Sequence, residues 1–290
     1  MKVGVEIIKE LRQATGAGIG DCKEALEACS GDIDKAREYL REKGLSKAYK
    51  KSHRDVPDGI VSVYVDGARG SIVKLGSETD FVARNEKFCH LARGLARRLY
   101  DCKSEDMEGF SALHYDGSSG PSVSDEVVSA AAVLGENVVL GGIGFIELSG
   151  PGVIGSYVHS AIGDGLGKAA ALVALESSAN PVELADLAKQ LAMHVVAAKP
   201  EALSVDTLSK DVIENERSVV SKQVAALGKP ESVVQRIVDG RMQKFFEDMV
   251  LLEQVFIIDG QTKVCDLLKQ KGQNWGCDVR LVGYRLFSIG

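Results

Sequence analysis

Residues 163–169 (GDGLGKA) are the part of the sequence that most resembles a nucleotide-binding loop, because they are rich in glycine and contain a Gly-Lys pair. A phosphate-binding loop of the P-loop type needs a glycine five residues before the glycine of that pair, and Ile162 stands there. It also needs Ser or Thr after the lysine to bind magnesium, and Ala169 occupies that position. We therefore expect a flexible turn. An enzyme that uses this loop stays open as the alternative, and direct nucleotide binding by the chain would support it.

The histidines and cysteines, which could ligate a metal or act as nucleophiles, are dispersed along the chain. They are His53, His90, His114, His159 and His194, with Cys22, Cys29, Cys89, Cys102, Cys265 and Cys277. None of them forms an HExxH, HxH or CxxC pattern, and the sequence has no GxSxG motif. We predict no catalytic residue, no metal, no cofactor and reduced cysteines. His194 is expected to be a hydrogen-bonded structural residue, and His159 to face outward at the end of a strand.

An acid and an aromatic ring stand together at Thr79, Asp80, Phe81 and Val82, where a predicted strand leads into a predicted helix. Asp80 alone indicates a helix N-cap, and Phe81 alone indicates a core residue. Together they could instead present a carboxylate and a ring at the tip of a rigid turn. Such a protruding aromatic side chain suits insertion into a partner protein.

Composition favours a globular intracellular protein that binds other macromolecules. The chain has 290 residues, of which 45% are hydrophobic and 26% charged, and its formal net charge is -6. Several domains fit this length, and the acidic balance disfavours nucleic acid as the main ligand. The N-terminus lacks the apolar segment of a signal peptide, and the uncharged apolar runs are too short to span a bilayer. We expect a cytoplasmic protein with no membrane contact.

Hydrophobic periodicity predicts an α+β protein that begins with three short helices, the third ending at Gly44. A basic segment follows and is expected to be a solvated linker. A hairpin that turns at Asp66 and Gly67, followed by a helix, then recurs in the second half of the chain. Two long helices around residues 228–230 predict an antiparallel hairpin. The predicted divisions are a three-helix head (1–45), a basic linker (46–58), two core subdomains (59–145 and 146–203), the helical hairpin (204–252) and a C-terminal return to the core (253–290).

Two long motifs resemble signatures of the elongation factor Ts family. The first is residues 11–26 (LRQATGAGIGDCKEAL), and the second is residues 79–83 (TDFVA). Later blocks are similar to that family in the same order, so the resemblance covers essentially the whole chain. They are residues 192–195 (AMHV), 198–200 (AKP), 228–230 (GKP) and 240–242 (GRM).

The resemblance implies a guanine nucleotide exchange factor for elongation factor Tu, with no covalent chemistry and no cofactor. It also implies a ubiquitin-associated-like head, a duplicated core, a helical-hairpin insertion and a C-terminal module. The residues that match the family's magnesium-dislodging motif are Thr79, Asp80, Phe81 and Val82. The head residues that would face the GTPase domain of the partner are Arg12, Ile19 and Lys23, and His159 matches a core histidine that approaches the partner. A homodimer or a two-to-two complex stays open.

The sequence departs from the family pattern at a few positions. Lys74 and Gly76 stand where an acid and an Asn are usual, Gly20 replaces an apolar side chain beside Ile19, and residues 246–249 are atypical. These departures bear on affinity rather than on function. A different function, a head that binds ubiquitin-like or peptide ligands with the remainder as scaffold, would be separated by pull-down against ubiquitin and elongation factor Tu.

Overall fold

The computed structural model describes residues 4–15, 17–226 and 230–290, and it has the predicted α+β class. The predicted turn residues Gly16, Gly228 and Lys229 lie outside the described residues. In the described part the α-helices are α1 (Val5–Thr15), α2 (Ile19–Ala28), α3 (Ile33–Lys51), α4 (Asp80–Ala83), α5 (Glu86–Cys102), α6 (Met107–Ala112), α7 (Val123–Leu134), α8 (Pro181–Ala198), α9 (Lys210–Ala225), α10 (Glu231–Met249) and α11 (Val264–Trp275). The strands are β1 (Asp58–Asp66), β2 (Arg69–Ser77), β3 (Val138–Glu147), β4 (Gly152–His159), β5 (Leu166–Gly167), β6 (Ala169–Ser177) and β7 (Val279–Ser288).

The first three helices pack around a small apolar core of their own. Its buried members are Leu11, Cys22, Ala25, Leu26, Ala36 and Leu40. Asp32 caps α3, as predicted, because its carboxylate accepts hydrogen bonds from the backbone N–H groups of Asp34 and Lys35. These helices therefore form a compact head at the N-terminus.

The prediction that the third helix ends at Gly44 is wrong. α3 continues to Lys51, so the first half of the expected basic linker is helical. A Cβ atom at position 44 would lie 2.9 Å from the Cβ of Ala132 in α7, so this glycine allows the two helices to approach closely. The basic residues Lys50 and Lys51 occupy the last turn of α3, where positive charge is favourable near the helix carbonyls.

The core repeats one arrangement of strands and helix. In the first half, β1 and β2 form a hairpin, α5 follows, and β3 pairs with β2. In the second half, β4 and β6 pair, α8 follows, and β7 pairs with β6. The last strand of each half carries a register shift, opposite Lys74 and Leu75 in one case and opposite Ala174 and Leu175 in the other. The short strand β5 extends the first sheet, whose order is β3-β2-β1-β5.

The two sheets face each other, and the helices cover their outer faces. The layer between the sheets contains apolar side chains of both, among them Val61, Ile72, Ile146 and Leu172. A second core lies between the first sheet and helices α5 and α7, and a third between the second sheet and helices α8 and α11. The loops at each end of the strands are therefore held on a rigid scaffold.

Helices α9 and α10 pack mainly on each other. The residues buried between them are Val220, Val224, Val238 and Met242. A separate small cluster of Ala202, Leu208 and Val250 lies at the base of the pair. Across the described residues, no helix combines the length and apolar character needed to cross a membrane.

Candidate functional site

The segment between β2 and α5 presents an aromatic ring to solvent. Phe81 is 82% exposed, whereas Val82 and Ala83, the next residues of α4, are buried. The helix N-cap is Thr79 rather than Asp80, since the Thr79 hydroxyl accepts a hydrogen bond from the Val82 N–H. The interpretation of Phe81 as a core residue is therefore wrong, and the ring stands at the tip of a short turn.

Thr79 is fixed by a carboxylate from a distant part of the chain. Its backbone N–H donates to Glu136 Oε2 at 3.0 Å, and its hydroxyl donates to Glu136 Oε1 at 2.7 Å. Its carbonyl oxygen accepts from the Ser77 hydroxyl at 2.9 Å. Three hydrogen bonds thus hold the N-cap residue of α4, so the turn is rigid where Phe81 is presented.

The residue after Glu136 ties the same turn to the head. The Asn137 N–H donates to Glu78 Oε1 at 2.7 Å, and its side-chain amide donates to the carbonyl of Arg54 at 2.7 Å. The guanidinium of Arg54 lies 3.3 Å from Glu78 Oε2. The Asn137 hydrogen bond, together with Arg54, lowers the pKa of the Glu78 carboxyl below its ordinary value. The segment that follows α3 and the turn are therefore joined through one buried asparagine.

Asp80 leaves its carboxylate near the surface. The side chain is half exposed, and one of its oxygens lies 3.8 Å from Arg84 Nε, one helical turn further on. An exposed pair of this kind is weak, so the carboxylate can exchange Arg84 for another group. The turn therefore presents an acid directly beside the Phe81 ring.

His159 lies at the same edge of the core. As predicted, the side chain is exposed at the end of β4, and its Nδ1 is 3.3 Å from the Tyr157 hydroxyl. Its carbonyl accepts from the Lys168 N–H, and the Lys168 ammonium pairs with Asp58. Asp58 stands opposite Ser77 in the β1–β2 ladder. These contacts connect His159 with Ser77, the last residue of β2 before the turn that carries Phe81.

Arg12, Ile19 and Lys23 are exposed on the head. Ile19 is the first residue of α2, and Lys23 follows one turn later on the same face. Arg12 lies in the last turn of α1. Their apolar and basic groups are available to a partner while Leu11, Cys22 and Leu26 fill the head core.

The glycine-rich loop does not have the form of a phosphate site. Residues Leu166 and Gly167 pair with β1, and the Lys168 ammonium bonds the Asp58 carboxylate and the Gly59 carbonyl. A lysine held in this way is not free to bind phosphate. Within the described part of the chain, no group of three or more His, Cys, Asp or Glu residues is placed to hold a metal ion.

His194 has the structural role predicted for it. The ring is fully buried, with Nε2 3.0 Å from Gln254 Oε1 and Nδ1 accepting from the Ile257 N–H at 3.3 Å. Burial lowers the pKa of the ring below its ordinary value. His194 thus belongs to the packing of the second half of the core.

Glu136 and Asn137 were not identified from the sequence as part of this site. They lie 57 and 59 residues from the groups that they bind, Thr79 and Glu78. A local pattern gives no signal for such a pairing. The apolar run before Gly135 and the glycine itself are typical of the end of a helix, but they give no sign of what the next two residues bind.

Comparison with known proteins identifies the family. The family model described as Elongation factor TS matches residues 78–290, which is more than half of the chain. A protein of Anaplasma phagocytophilum strain HZ named Elongation factor Ts is 71% identical to this chain, and one of the same name in Ehrlichia chaffeensis is 52% identical to it. Each alignment covers 100% of this chain. Those alignments cover 100% and 99% of the two relatives. The corresponding protein of Rhodospirillum rubrum is 39% identical over 100% of this chain and 93% of its own length. The chain therefore belongs to the elongation factor Ts family.

Proposed function

We propose that this chain binds elongation factor Tu in its GDP form, displaces the partner's magnesium ion with the turn at residues 79–82, and so releases GDP. Membership of the family implies nucleotide exchange on elongation factor Tu during translation elongation. The observation that carries the residue assignment is Phe81, an exposed ring on a turn fixed by Glu136. The proposed place of action is the cytoplasm.

Exchange follows from linked equilibria and needs no bond to be made or broken. A protein that binds nucleotide-free elongation factor Tu more tightly than the GDP form must weaken GDP binding by the same factor. Magnesium carries much of the electrostatic attraction between GDP and its binding site. Disturbing the surroundings of that ion therefore lowers the affinity for GDP.

The ring of Phe81 supplies the main contact in this mechanism. Insertion of an aromatic anchor into a partner pocket contributes on the order of 2 kcal/mol or more. A tenfold change in affinity requires only about 1.4 kcal/mol, so a single ring is sufficient to shift the partner's equilibrium substantially. The Asp80 carboxylate, beside the ring, adds repulsion near phosphate or competes for groups around magnesium.

The head and His159 provide further contacts in the proposal. Ile19 offers exposed apolar surface, and Arg12 and Lys23 offer positive charge on the head. These groups suit an acidic face of the GTPase domain. His159, at the edge that also carries the turn, would contact the same partner from the core.

The experiment measures release of fluorescent GDP from elongation factor Tu during a chase with unlabelled GDP. We expect the wild-type chain to accelerate release and Phe81→Ala to lose most of the acceleration. A parallel series in excess EDTA tests the magnesium step, because the chain should add much less once the ion is already removed. No acceleration by the wild-type chain would contradict the proposed function. Equal acceleration with and without EDTA would contradict the magnesium step alone.

A further inference from the structure

The connection between α7 and β3, residues 135–137, contacts both the turn that carries Phe81 and the end of α3. Glu136 binds the turn through Thr79, and Asn137 binds Arg54 in the segment that follows α3. The Gly135 carbonyl accepts from the Lys51 ammonium at the end of α3. This connection lies between the end of α3 and the turn.

Both oxygens of the Glu136 carboxylate are directed at one residue. The distances are 3.0 Å to the Thr79 backbone nitrogen and 2.7 Å to the Thr79 hydroxyl. Hydrogen bonds to an ionised acceptor are stronger than those between neutral groups. Because the backbone and the side chain of Thr79 are held at once, neither the entry to α4 nor the Thr79 rotamer can change independently.

The carboxylate also orients the Thr79 hydroxyl. That oxygen accepts from the Val82 N–H, so its proton must point elsewhere. The hydroxyl therefore donates its hydrogen bond to Glu136 Oε1. The N-cap of α4 thus depends on the position of Glu136, and Phe81 lies between the cap and Val82. Displacement of the carboxylate would release the first turn of a helix that has only four residues.

Glu136 is itself held from both sides. Asn137 is 5% exposed, and its backbone and side chain bond Glu78, Ser52 and Arg54. On the other side, Gly135 ends α7 in a left-handed conformation with φ 78° and donates to the Ala131 carbonyl. The carboxylate therefore starts from an anchored backbone, as a group that holds another element in place requires.

We propose that Glu136 is a positioning residue for nucleotide exchange, acting through Thr79 on the orientation of Phe81. The inference rests on the proposed function, since it assigns to Glu136 a part in the same displacement step. Glu136 touches neither nucleotide nor magnesium in this scheme. Its effect is to keep the turn in the conformation in which the ring enters the partner.

The test compares the concentration dependence of GDP release for wild type, Glu136→Ala and Glu136→Gln. Loss of two hydrogen bonds to an ionised acceptor should lower the maximal release rate of Glu136→Ala by about tenfold. Its half-saturating concentration should change little. Glu136→Gln should retain more activity than Ala, because its amide can still accept from the Thr79 N–H. A role confined to folding would reduce the active fraction, which raises the half-saturating concentration and leaves the maximal rate unchanged.

Three further single variants and one double variant complete the design. Glu147→Ala, at the opposite end of β3 and paired with Arg69 and Lys103, is the matched control and should keep the wild-type maximal rate. Thr79→Ser keeps the hydroxyl and should therefore lose less activity than Thr79→Val. Thr79→Val removes the hydroxyl, and its combination with Glu136→Ala should cost less than the two separate losses predict, since both act through one contact.

The outcomes separate the two proposals. A wild-type maximal rate in Glu136→Ala, or losses that are strictly additive with Thr79→Val, would overturn the role of Glu136 while leaving Phe81 in place. If Glu136→Ala does not fold, the same comparison is made with Glu136→Gln, Thr79→Ser and Thr79→Val. Wild-type protein that fails to accelerate GDP release would overturn both the proposed function and this inference.

Discussion

Gly44 in α3 lies directly against Ala132 in α7, and a Cβ atom at position 44 would be 2.9 Å from the Ala132 Cβ. The two helices belong to different parts of the chain, the head and the first half of the core. Directly after α3, the carbonyl groups of Ser52 and Arg54 accept hydrogen bonds from the Asn137 side chain of the core. The head is therefore joined to the core by a packed helix as well as by hydrogen bonds.

We expect Gly44→Ala to lower the melting temperature. Alanine improves intrinsic helix propensity by about 1 kcal/mol. The added methyl group meets Ala132, however, and overpacking of this kind costs roughly 1–3 kcal/mol. Gly20→Ala is the control, because a Cβ at position 20 in α2 meets nothing within 4 Å. Gly20→Ala should have an unchanged or higher melting temperature. A higher melting temperature for Gly44→Ala would contradict the prediction, because it would show that α3 and α7 separate easily.

Local signals explain which elements could be predicted. Asp66 and Gly67 marked the first hairpin correctly, and Asp32 marked the start of α3, because turn geometry and helix capping depend on neighbouring residues. The prediction that Gly44 ends a helix is wrong because it also depends on local signals alone. The local effect of this glycine is to weaken a helix, whereas its use is set by Ala132, which is distant in the sequence. Helix propensity depends on the residue itself and therefore gives no sign of a contact with a distant residue.

Long-range polar contacts account for the part of the site that the sequence did not reveal. The motif containing Phe81 could be recognised as a whole, but its support by Glu136 depends on the fold. The strand β3, which follows Glu136 and Asn137 directly, is not predicted from the sequence either. Three glycines lie in that strand, at positions 141, 142 and 144, and they weaken the alternating pattern of a strand.

Phe81→Ala should leave stability unchanged within a few degrees of melting temperature, because the ring is 82% exposed. The loss of about 2 kcal/mol of interface energy would slow stimulated GDP release roughly thirtyfold. Phe88→Ala, at a fully buried position in α5, is the contrasting variant and should lose about 3–5 kcal/mol of folding stability. Asp80→Ala should show a milder form of the Phe81 defect. A stable and fully active Phe81→Ala protein would refute the assignment.

The head surface is tested by replacing Ile19 with Ser and Lys23 with Ala together. Both side chains are exposed on one face of α2, so the melting temperature should stay near wild type. Loss of one apolar and one charged contact should weaken binding to elongation factor Tu by about tenfold. Lys35→Ala on α3 serves as the control. Deletion of residues 1–45 is a poorer test, since it would cut α3 in its interior.

Replacement of residues 209–249 by a short loop should leave a folded core. The apolar side chains of α9 and α10, including Val224 and Met242, are buried mainly against each other. Residues 250–253 should remain, because Val250 and Leu251 are buried at the base. Circular dichroism and thermal melting check this expectation. Global unfolding of the shortened chain would show that the core depends on the helical pair, whereas Val224→Asp should affect only that pair.

Burial of His194 makes the stability of the folded protein depend on pH. In the neutral ring, Nε2 donates to Gln254 Oε1 and Nδ1 accepts from the Ile257 N–H. Protonation of Nδ1 would place its own N–H opposite the Ile257 N–H, and the hydrogen bond between them would be lost. Burial also disfavours the charged ring and depresses its pKa in the folded protein. The unfolded chain therefore takes up this proton first as the pH falls below about 6.5. The stability that the neutral ring provides is complete above that value and declines as the pH falls towards the folded pKa.

We expect His194→Gln to have a lower melting temperature at pH 7.5 but to lose less stability than wild type between about pH 6.5 and 5, the range in which the unfolded imidazole becomes charged. The informative quantity is the difference between the two proteins at each pH, because carboxylate titrations are common to both and cancel. His159→Gln is the matched control. That ring is exposed at the end of β4, so the variant should follow the wild-type curve. Parallel curves for wild type and His194→Gln would mean that the buried imidazole is not protonated differently in the folded and unfolded chains.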